Sequence, residues 1–138
     1  MMLPVEIALT QYGTREIAGS SNNPSVLGYF EYIGQSWVKN DEMAWCAAFL
    51  NWCLKRAGRQ HTGSLLARSF LNYGTNTNTP KFGDLAVFWR EAPTGKFGHA
   101  GFYINETKDH VWVLGGNQTD QVSIEAYPKK NLLGYRTF

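Results

Sequence analysis

A chain of 138 residues suits one globular domain better than two, so we expect a single domain over residues 1–138. Its net charge of +2, without a cluster of Lys or Arg, argues against a nucleic-acid partner. No stretch approaches the roughly 20 apolar residues of a membrane span. The first residues also lack the basic start and apolar run of a secretory signal. We therefore expect synthesis in the cytoplasm, and delivery by another system if the protein acts outside.

Four helices are predicted in the first half of the chain. The first covers residues 4–17, although a glycine within it could end it early. The second begins at Asn23, a favoured N-cap, with Pro at the first helical position, and stops near residue 34. The third runs from the region of Asp41 to basic residues and a glycine at position 58. A short fourth helix covers residues 64–73.

The pattern changes after a connector at residues 75–80 that is rich in Thr and Asn. Short runs of β-forming residues follow, separated by turns. The predicted strands cover residues 84–89, 99–105, 110–114, 122–126 and 133–138. Helices followed by strands indicate an α+β fold, with N-terminal helices packed on a C-terminal antiparallel sheet of about five strands.

The third predicted helix carries both cysteines of the chain. Cys46 and Cys53 share an apolar stripe with Phe49 and Leu50. Seven residues of helix would separate their Cα atoms by roughly 10 Å, whereas a disulfide needs less than about 7 Å, so both thiols should be free. The three His and two Cys lack the spacing of a zinc site, and we expect neither a metal nor a cofactor.

Two interpretations of Cys46 remain open at this point. Near the start of a helix, unpaired backbone N–H groups favour a reactive thiolate. Asp41 and Glu42 oppose thiolate formation, so a nucleophilic Cys46 needs a basic partner. Alternatively, Cys46 is an inert core residue, because it is in phase with the stripe. Cys53 lies two turns deeper and is predicted to be a core residue.

The best basic partner is His99, at the start of a predicted strand. A hairpin with the next strand would place His99 opposite Gly116, within one or two residues of register, and thus beside Asn117 and Gln118. An amide oxygen that accepts from an imidazole fixes its tautomer and orientation. Cys, His and Asn form a known order of nucleophile, base and orienting residue. Taken singly, the same residues also fit a half-buried strand histidine and a plain turn.

Three segments in this order resemble the CHAP and NlpC-type cysteine peptidases and amidases, which have papain-like folds. They are Trp45-Cys46-Ala-Ala-Phe49, Gly83-Asp84-Leu-Ala-Val-Phe88 and Gly98-His99-Ala-Gly101-Phe-Tyr103. The Gly-Gly-Asn-Gln stretch at 115–118 resembles a CHAP-like subgroup of phage, prophage and bacterial proteins. The resemblance covers roughly residues 5–138.

The resemblance implies a role for each of these residues. Cys46 would be the nucleophile, His99 the general base and then acid, and Asn117 the orienting residue. Gln118 is the alternative orienting residue. The further supporting candidates are Trp45 and Asp84, the latter more often a turn cap.

The same resemblance implies how the nucleophile is presented. The helix should begin at Trp45–Cys46, with residues 41–44 in a loop or loose turn. The oxyanion would be bound by the backbone N–H of Cys46 and a second donor, for which Tyr12 and Gln35 are candidates.

The substrate implied is bacterial peptidoglycan, cut at a stem-peptide bond or at the N-acetylmuramoyl-L-alanine amide. The protein would then act as an endolysin or as a toxin effector, and an effector would have an immunity or inhibitor protein as a partner. We expect a monomer. Two alternatives remain: the same chemistry on a protein amide, and a non-catalytic module that binds glycan or a partner protein.

Overall fold

The computed structural model describes residues 2–17, 23–37 and 45–138. Within these residues, three α-helices precede a six-stranded antiparallel sheet, which confirms the α+β class. The helices are α1 Pro4–Thr10, α2 Pro24–Tyr32 and α3 Cys46–Arg56, with 3₁₀ helices at Ala67–Asn72 and Lys129–Asn131. The strands are β1 Thr75–Thr77, β2 Leu85–Trp89, β3 Gly98–Glu106, β4 His110–Gln118, β5 Gln121–Pro128 and β6 Leu132–Thr137. They lie in the order β1-β6-β2-β3-β4-β5.

The sheet has one more strand than the five predicted from the sequence. Thr75–Thr77 lies in the predicted connector and pairs with the end of β6 at one edge of the sheet. Three polar residues carry no alternation of apolar and polar side chains, so nothing in the sequence marked them as a strand. The predicted fourth helix is also shorter, a 3₁₀ helix over Ala67–Asn72.

Helix α1 ends at Thr10, seven residues before the predicted end. Gly13 has a φ of 90° and turns the chain away from the helix axis. Its N–H donates to Val122 O at 2.9 Å, and Arg15 then forms a bridge with Gln121. The segment after α1 therefore packs beside β5 instead of continuing the helix.

The other two helix starts agree with the predictions. The Asn23 side chain accepts a hydrogen bond from the Ser25 N–H at 2.8 Å, and Pro24 begins α2. Helix α3 begins at Cys46, with Trp45 as its N-cap residue. The predicted loop at residues 41–44 lies outside the described residues.

The sheet buries side chains on both of its faces. One face packs on the helices, where alternate residues Leu85, Val87, Ala100 and Phe102 join the core around α3. The opposite face has its own cluster, made of Ala86, Phe88, Tyr103, Val111, Val113 and Tyr135 with Tyr127 and Leu132 against it. None of the helices in the described residues is long and apolar enough to cross a membrane.

The sheet curls toward this second face. Phe88 lies on β2 and Tyr127 on β5, with two strands between them. In a flat sheet, β2 and β5 would lie three strand spacings apart, or about 14 Å. Their rings nevertheless stack with centroids 5.2 Å apart. The curl brings β5 over the start of β3, where His99 lies.

Candidate active site

Helix α3 presents Cys46 as its first residue. The first helical hydrogen bond runs from the Phe49 N–H to Trp45 O at 2.9 Å, so the N–H groups of the preceding residues have no partner within the helix. Trp45 contributes no side-chain cap. These free donors and the positive end of the helix dipole both favour a thiolate at this position.

The side chain of His99 is the main partner of the Cys46 thiol. Burial alone would raise the pKa of Cys46, which is only 5% exposed. The charge of His99 and its hydrogen bond to the thiol lower that pKa, as do the backbone N–H groups of Ala100 and Ala47. The net effect is a pKa below the ordinary value of a cysteine. Cys46 therefore belongs to the buried core, yet the pKa of its thiol is lower than that of an ordinary cysteine.

Gln118 holds the His99 ring from the other side. The Gln118 amide nitrogen donates to Val113 O at 3.0 Å and to Ser123 O at 2.8 Å, which fixes the orientation of the amide. Its Oε1 then faces His99 Nε2 at 2.8 Å. Because a carbonyl oxygen can only accept, this network assigns the hydrogen of a neutral imidazole to Nε2. Nδ1 is left as the acceptor for the proton of Cys46.

The hydrogen bond predicted for Asn117 is made by Gln118 instead. Among the described residues, His99 has its amide partner in Gln118, while Asn117 lines a neighbouring cavity. The cause is a β-bulge. Gly115 pairs with Ser123 and Gln118 pairs with Gln121, so two residues of β4 oppose a single residue of β5. Asn117 has a φ of 58°, and the bulge turns Gln118 toward His99.

The β3–β4 hairpin itself forms close to the predicted register. Phe102 pairs with Leu114, one residue further along β4 than predicted, and a bulge after Tyr103 shifts the pairing by one more. Both differences lie within the predicted slip. The hairpin thus brings the Gly-Gly-Asn-Gln stretch to the start of β3, as the sequence indicated.

Two glycines of that stretch leave room for close contacts, Gly116 for the start of α3 and Gly115 for the Gln118 side chain. A Cβ on Gly116 would lie 2.7 Å from Phe49 Cβ and 2.8 Å from the Trp45 ring. A Cβ on Gly115 would lie 2.6 Å from Gln118 Oε1. Any side chain here would push apart the groups that surround Cys46.

Tyr127 is a site residue that the sequence did not reveal. Its ring stacks on His99 with centroids 4.7 Å apart and an interplanar angle of 17°. Burial raises the pKa of the Tyr127 phenol, as do the charges of Glu125 and Cys46, so the phenol stays neutral beside the thiol. The contact crosses an intervening strand, and no local pattern in the sequence predicts it.

Two cavities open on either side of the Cys46–His99 pair, and Arg90 lines both. The first, of about 310 Å³, contains Cys46 and lies between residues 65–67 and the loop that joins β2 to β3. The second, of about 320 Å³, contains His99, Asn117 and Tyr127. Arg90 therefore separates the cavity at Cys46 from the cavity at His99, and each is large enough to hold part of a substrate.

The two predicted supporting residues, Trp45 and Asp84, have contacts other than the hydrogen bonds that join Cys46, His99 and Gln118. Trp45 is fully buried and packs on Tyr29 and Phe49, so it supports the start of α3. Asp84 lies at the far end of β2, where its carboxylate accepts from the Lys81 N–H at 2.8 Å and closes a turn.

The two candidates for a second oxyanion donor have other environments. The Tyr12 side chain is 58% exposed. Gln35 donates its amide N–H to Gly63 O at 3.0 Å and accepts from Trp37 Nε1 at 2.6 Å. Neither of these two hydrogen bonds of Gln35 involves Cys46.

Cys53, the other cysteine of α3, lies in the hydrophobic core. Cys53 is free and fully buried, which confirms the prediction of a core residue. Burial raises its pKa well above the ordinary value, although Arg56 opposes the shift. Within residues 2–17, 23–37 and 45–138, no three His, Cys, Asp or Glu side chains group closely enough to hold a metal ion.

A cysteine at a helix start, a histidine at a strand start and a buried amide behind it form an arrangement that is typical of cysteine hydrolases with an α+β fold. The family model of the CHAP domain matches residues 38–117, and the chain belongs to this family. It is a family of peptidoglycan-hydrolase-type cysteine peptidases and amidases. A comparison with curated proteins gives no match.

The fold also has a counterpart among solved structures. A crystal structure of a protein from Staphylococcus aureus subsp. aureus Mu50, described as similar to a lipoprotein of the NLP/P60 family, superposes with a TM-score of 0.53. The two sequences are 17% identical, so the likeness concerns the fold. The match covers 97% of this chain and 39% of that one.

Proposed function

We propose that this protein is a cysteine hydrolase that cleaves an amide bond of bacterial peptidoglycan. The observation that carries the proposal is the contact chain from Cys46 through His99 to Gln118, placed where two cavities meet. Membership of the CHAP family supports the same substrate class. The bond is a stem-peptide bond or the N-acetylmuramoyl-L-alanine amide.

The reaction begins with transfer of the thiol proton. His99 Nδ1 accepts the proton of Cys46, while Nε2–H remains bonded to the Gln118 oxygen. Gln118 thereby acts as the positioning residue, because the two hydrogen bonds that its amide nitrogen donates prevent the amide group from rotating by half a turn. The resulting thiolate is stabilised by the His99 cation and by the N–H groups of Ala47 and Ala100.

The thiolate then attacks the amide carbonyl, and a C–S bond forms. His99 gives its proton to the amide nitrogen as the C–N bond breaks, which leaves a thioester on Cys46 and a free amine. Water attacks the thioester with His99 again as the base, which releases a carboxylate and restores the thiol. The backbone N–H of Cys46 at the start of α3 is the proposed donor to the oxyanion.

The charge of the two cavities suits an anionic substrate. Arg90 is exposed where the two cavities meet, and Lys96 lines the first cavity. Glu91 is the acidic side chain among the described residues that line this first cavity. A carboxylate on the substrate would therefore be attracted by two positive side chains and repelled by one negative side chain in the first cavity.

Digestion of purified peptidoglycan tests the proposal. The native protein, under reducing conditions, should release new free amines, whereas Cys46→Ala should release none. Mass spectrometry of the products identifies the bond, because a complete stem that begins at L-Ala and lacks the sugar indicates an amidase, whereas a cut within the stem indicates an endopeptidase. A folded native protein that releases no amines from the wall would contradict the proposal. Cleavage of a protein amide instead would select the same chemistry on another substrate.

A further inference from the structure

Arg68, on the 3₁₀ helix Ala67–Asn72, binds the loop between β2 and β3 with its whole guanidinium group. Nε donates to Phe97 O at 2.8 Å, one terminal nitrogen donates to Pro93 O at 2.8 Å and the other to Ala92 O at 2.6 Å. Three charged hydrogen bonds from one side chain to one loop are a strong restraint, because the planar fork fixes direction as well as distance.

The loop that Arg68 binds forms one wall of the cavity that contains Cys46. That wall includes residues 90–91 and 96–98. The facing wall is residues 65–67, immediately before Arg68 in the chain. The arginine therefore ties the two walls of the cavity to each other.

The backbone of the loop is shaped to receive this side chain. The oxygens of Ala92 and Phe97 each also accept a backbone N–H, from Gly95 at 3.1 Å and from Arg90 at 3.1 Å. A Cβ on Gly98 would lie 3.3 Å from Arg68 Cγ and 2.4 Å from Phe88 O. Glu91 has a φ of 69°, a left-handed conformation that costs a non-glycine residue energy unless the surroundings hold it.

We propose that Arg68 is a positioning residue for substrate binding, which holds the β2–β3 loop as a fixed wall beside Cys46. This role rests on the proposed function of the two cavities. Arg68 acts through the loop that carries Lys96 and Phe97. His99 is held separately, by Gln118 and by the Tyr127 ring, so loss of Arg68 should weaken substrate binding and leave the reactivity of the thiol intact.

Limited trypsin digestion tests the restraint without any substrate. Lys96 gives a cleavable bond inside the loop, and cleavage of a folded protein reports local opening. In Arg68→Lys, which keeps the charge but loses the fork, the cut after Lys96 should be faster by about tenfold or more, as expected from loss of a charged hydrogen bond. Arg68→Met, which keeps the stem against Gly98, is the second variant if the first fails to fold.

Arg136→Lys is the matched control. Arg136 also donates to backbone carbonyls, to Tyr73 O at 2.7 Å and to Gly74 O at 3.1 Å, but none of these residues lines the cavity at Cys46. Its replacement should leave the rate of the Lys96 cut unchanged. Equal rates for the native protein, Arg68→Lys and Arg68→Met would overturn the restraint.

Kinetics on soluble peptidoglycan fragments test the role in binding. Arg68→Lys should raise KM by about tenfold with kcat within about twofold, because the wall binds substrate while the Cys46–His99 pair is unchanged. The pH dependence of Cys46 alkylation should also stay unchanged. A fall in kcat with a shifted alkylation profile would overturn the assignment to substrate binding. If the native protein cleaves no peptidoglycan, the proposed function fails, while the trypsin result still decides whether Arg68 holds the loop.

Discussion

Cys46 and Cys53 lie two turns apart on α3, and both belong to the same core cluster. Burial acts on both thiols in the same direction and raises the pKa of each. At Cys53, Arg56 is the group among the described residues that opposes the effect of burial, and the pKa stays well above its ordinary value. At Cys46 the imidazole of His99 and two backbone N–H groups outweigh burial, and the pKa falls. The opposite directions of the two pKa shifts are therefore decided by the partners at the helix start, since burial acts alike on both cysteines.

Replacement of each cysteine by alanine is the strongest test of the difference between Cys46 and Cys53. Cys46→Ala should lower peptidoglycan hydrolysis by at least about a thousandfold, because no other nucleophile lies in its place. Cys53→Ala should keep the activity and lower the free energy of unfolding by about 1–2 kcal/mol, because it leaves a small cavity in the core. Amine release and chemical denaturation measure the two effects. Loss of activity in folded Cys53→Ala would contradict the division of roles.

Replacement of His99 should move the pKa of Cys46 in the same direction as that of Cys53, above the ordinary value. We expect His99→Ala to lower turnover by about 10²–10⁴-fold. Without the imidazole, burial becomes dominant and the pKa of Cys46 rises, so the midpoint of its alkylation should move to higher pH. His110→Ala is the control, since this histidine is exposed at the start of β4. An unchanged midpoint in His99→Ala would mean that another group stabilises the thiolate.

The orienting contact can be tested with two neighbouring residues. Gln118→Ala should lower kcat by roughly tenfold to a hundredfold, a part of what the general base contributes. Asn117→Gly retains the left-handed backbone at this position and should lower kcat by less than about threefold. Turnover is compared at equal folded fractions, because Gln118 also satisfies two buried carbonyls. The reverse order of effects would restore Asn117 as the orienting residue.

The contact between β4 and the start of α3 can be tested through stability alone. Gly116→Ala should reduce the free energy of unfolding by about 1–3 kcal/mol, because its methyl group overlaps Phe49 and Trp45. Gly28→Ala, in helix α2 with open space around it, should be neutral or stabilising by about 0.5–1 kcal/mol. Thermal denaturation measures both. Equal stability of the two variants would mean that the helix start is not tightly packed on the sheet.

Much of this fold could be predicted from the sequence, because its signals are local. The N-cap at Asn23, the apolar stripe of α3 and the short β-rich runs each depend on neighbouring residues. For α1 the sequence left two ends open, because Gly13 could end the helix early, and the pairing with β5 decides between them. The strand Thr75–Thr77 could not be predicted, because it is decided by pairing with the distant strand β6.

Some residues of the candidate site could likewise be predicted from local sequence patterns, whereas others depend on how the sheet folds. Cys46 and His99 stand out through their position at the start of an element, and the hairpin placed Gln118 near His99. The choice of Gln118 over Asn117 depends on a bulge, because one inserted residue reverses which side chains face the site. The stacking of Tyr127 depends on the curl of the sheet, which no single strand specifies.

Thiol labelling of the native protein tests the central claim most directly. Iodoacetamide is added over a series of pH values, and mass spectrometry measures the modified fraction of each cysteine. We predict that Cys46 reacts in the folded protein with a midpoint at lower pH than a free cysteine in a short peptide, because a lowered pKa gives thiolate earlier. Cys53 should react only on unfolding. A Cys46 that reacts as slowly as Cys53, or with a midpoint at or above that of the peptide, would contradict the account.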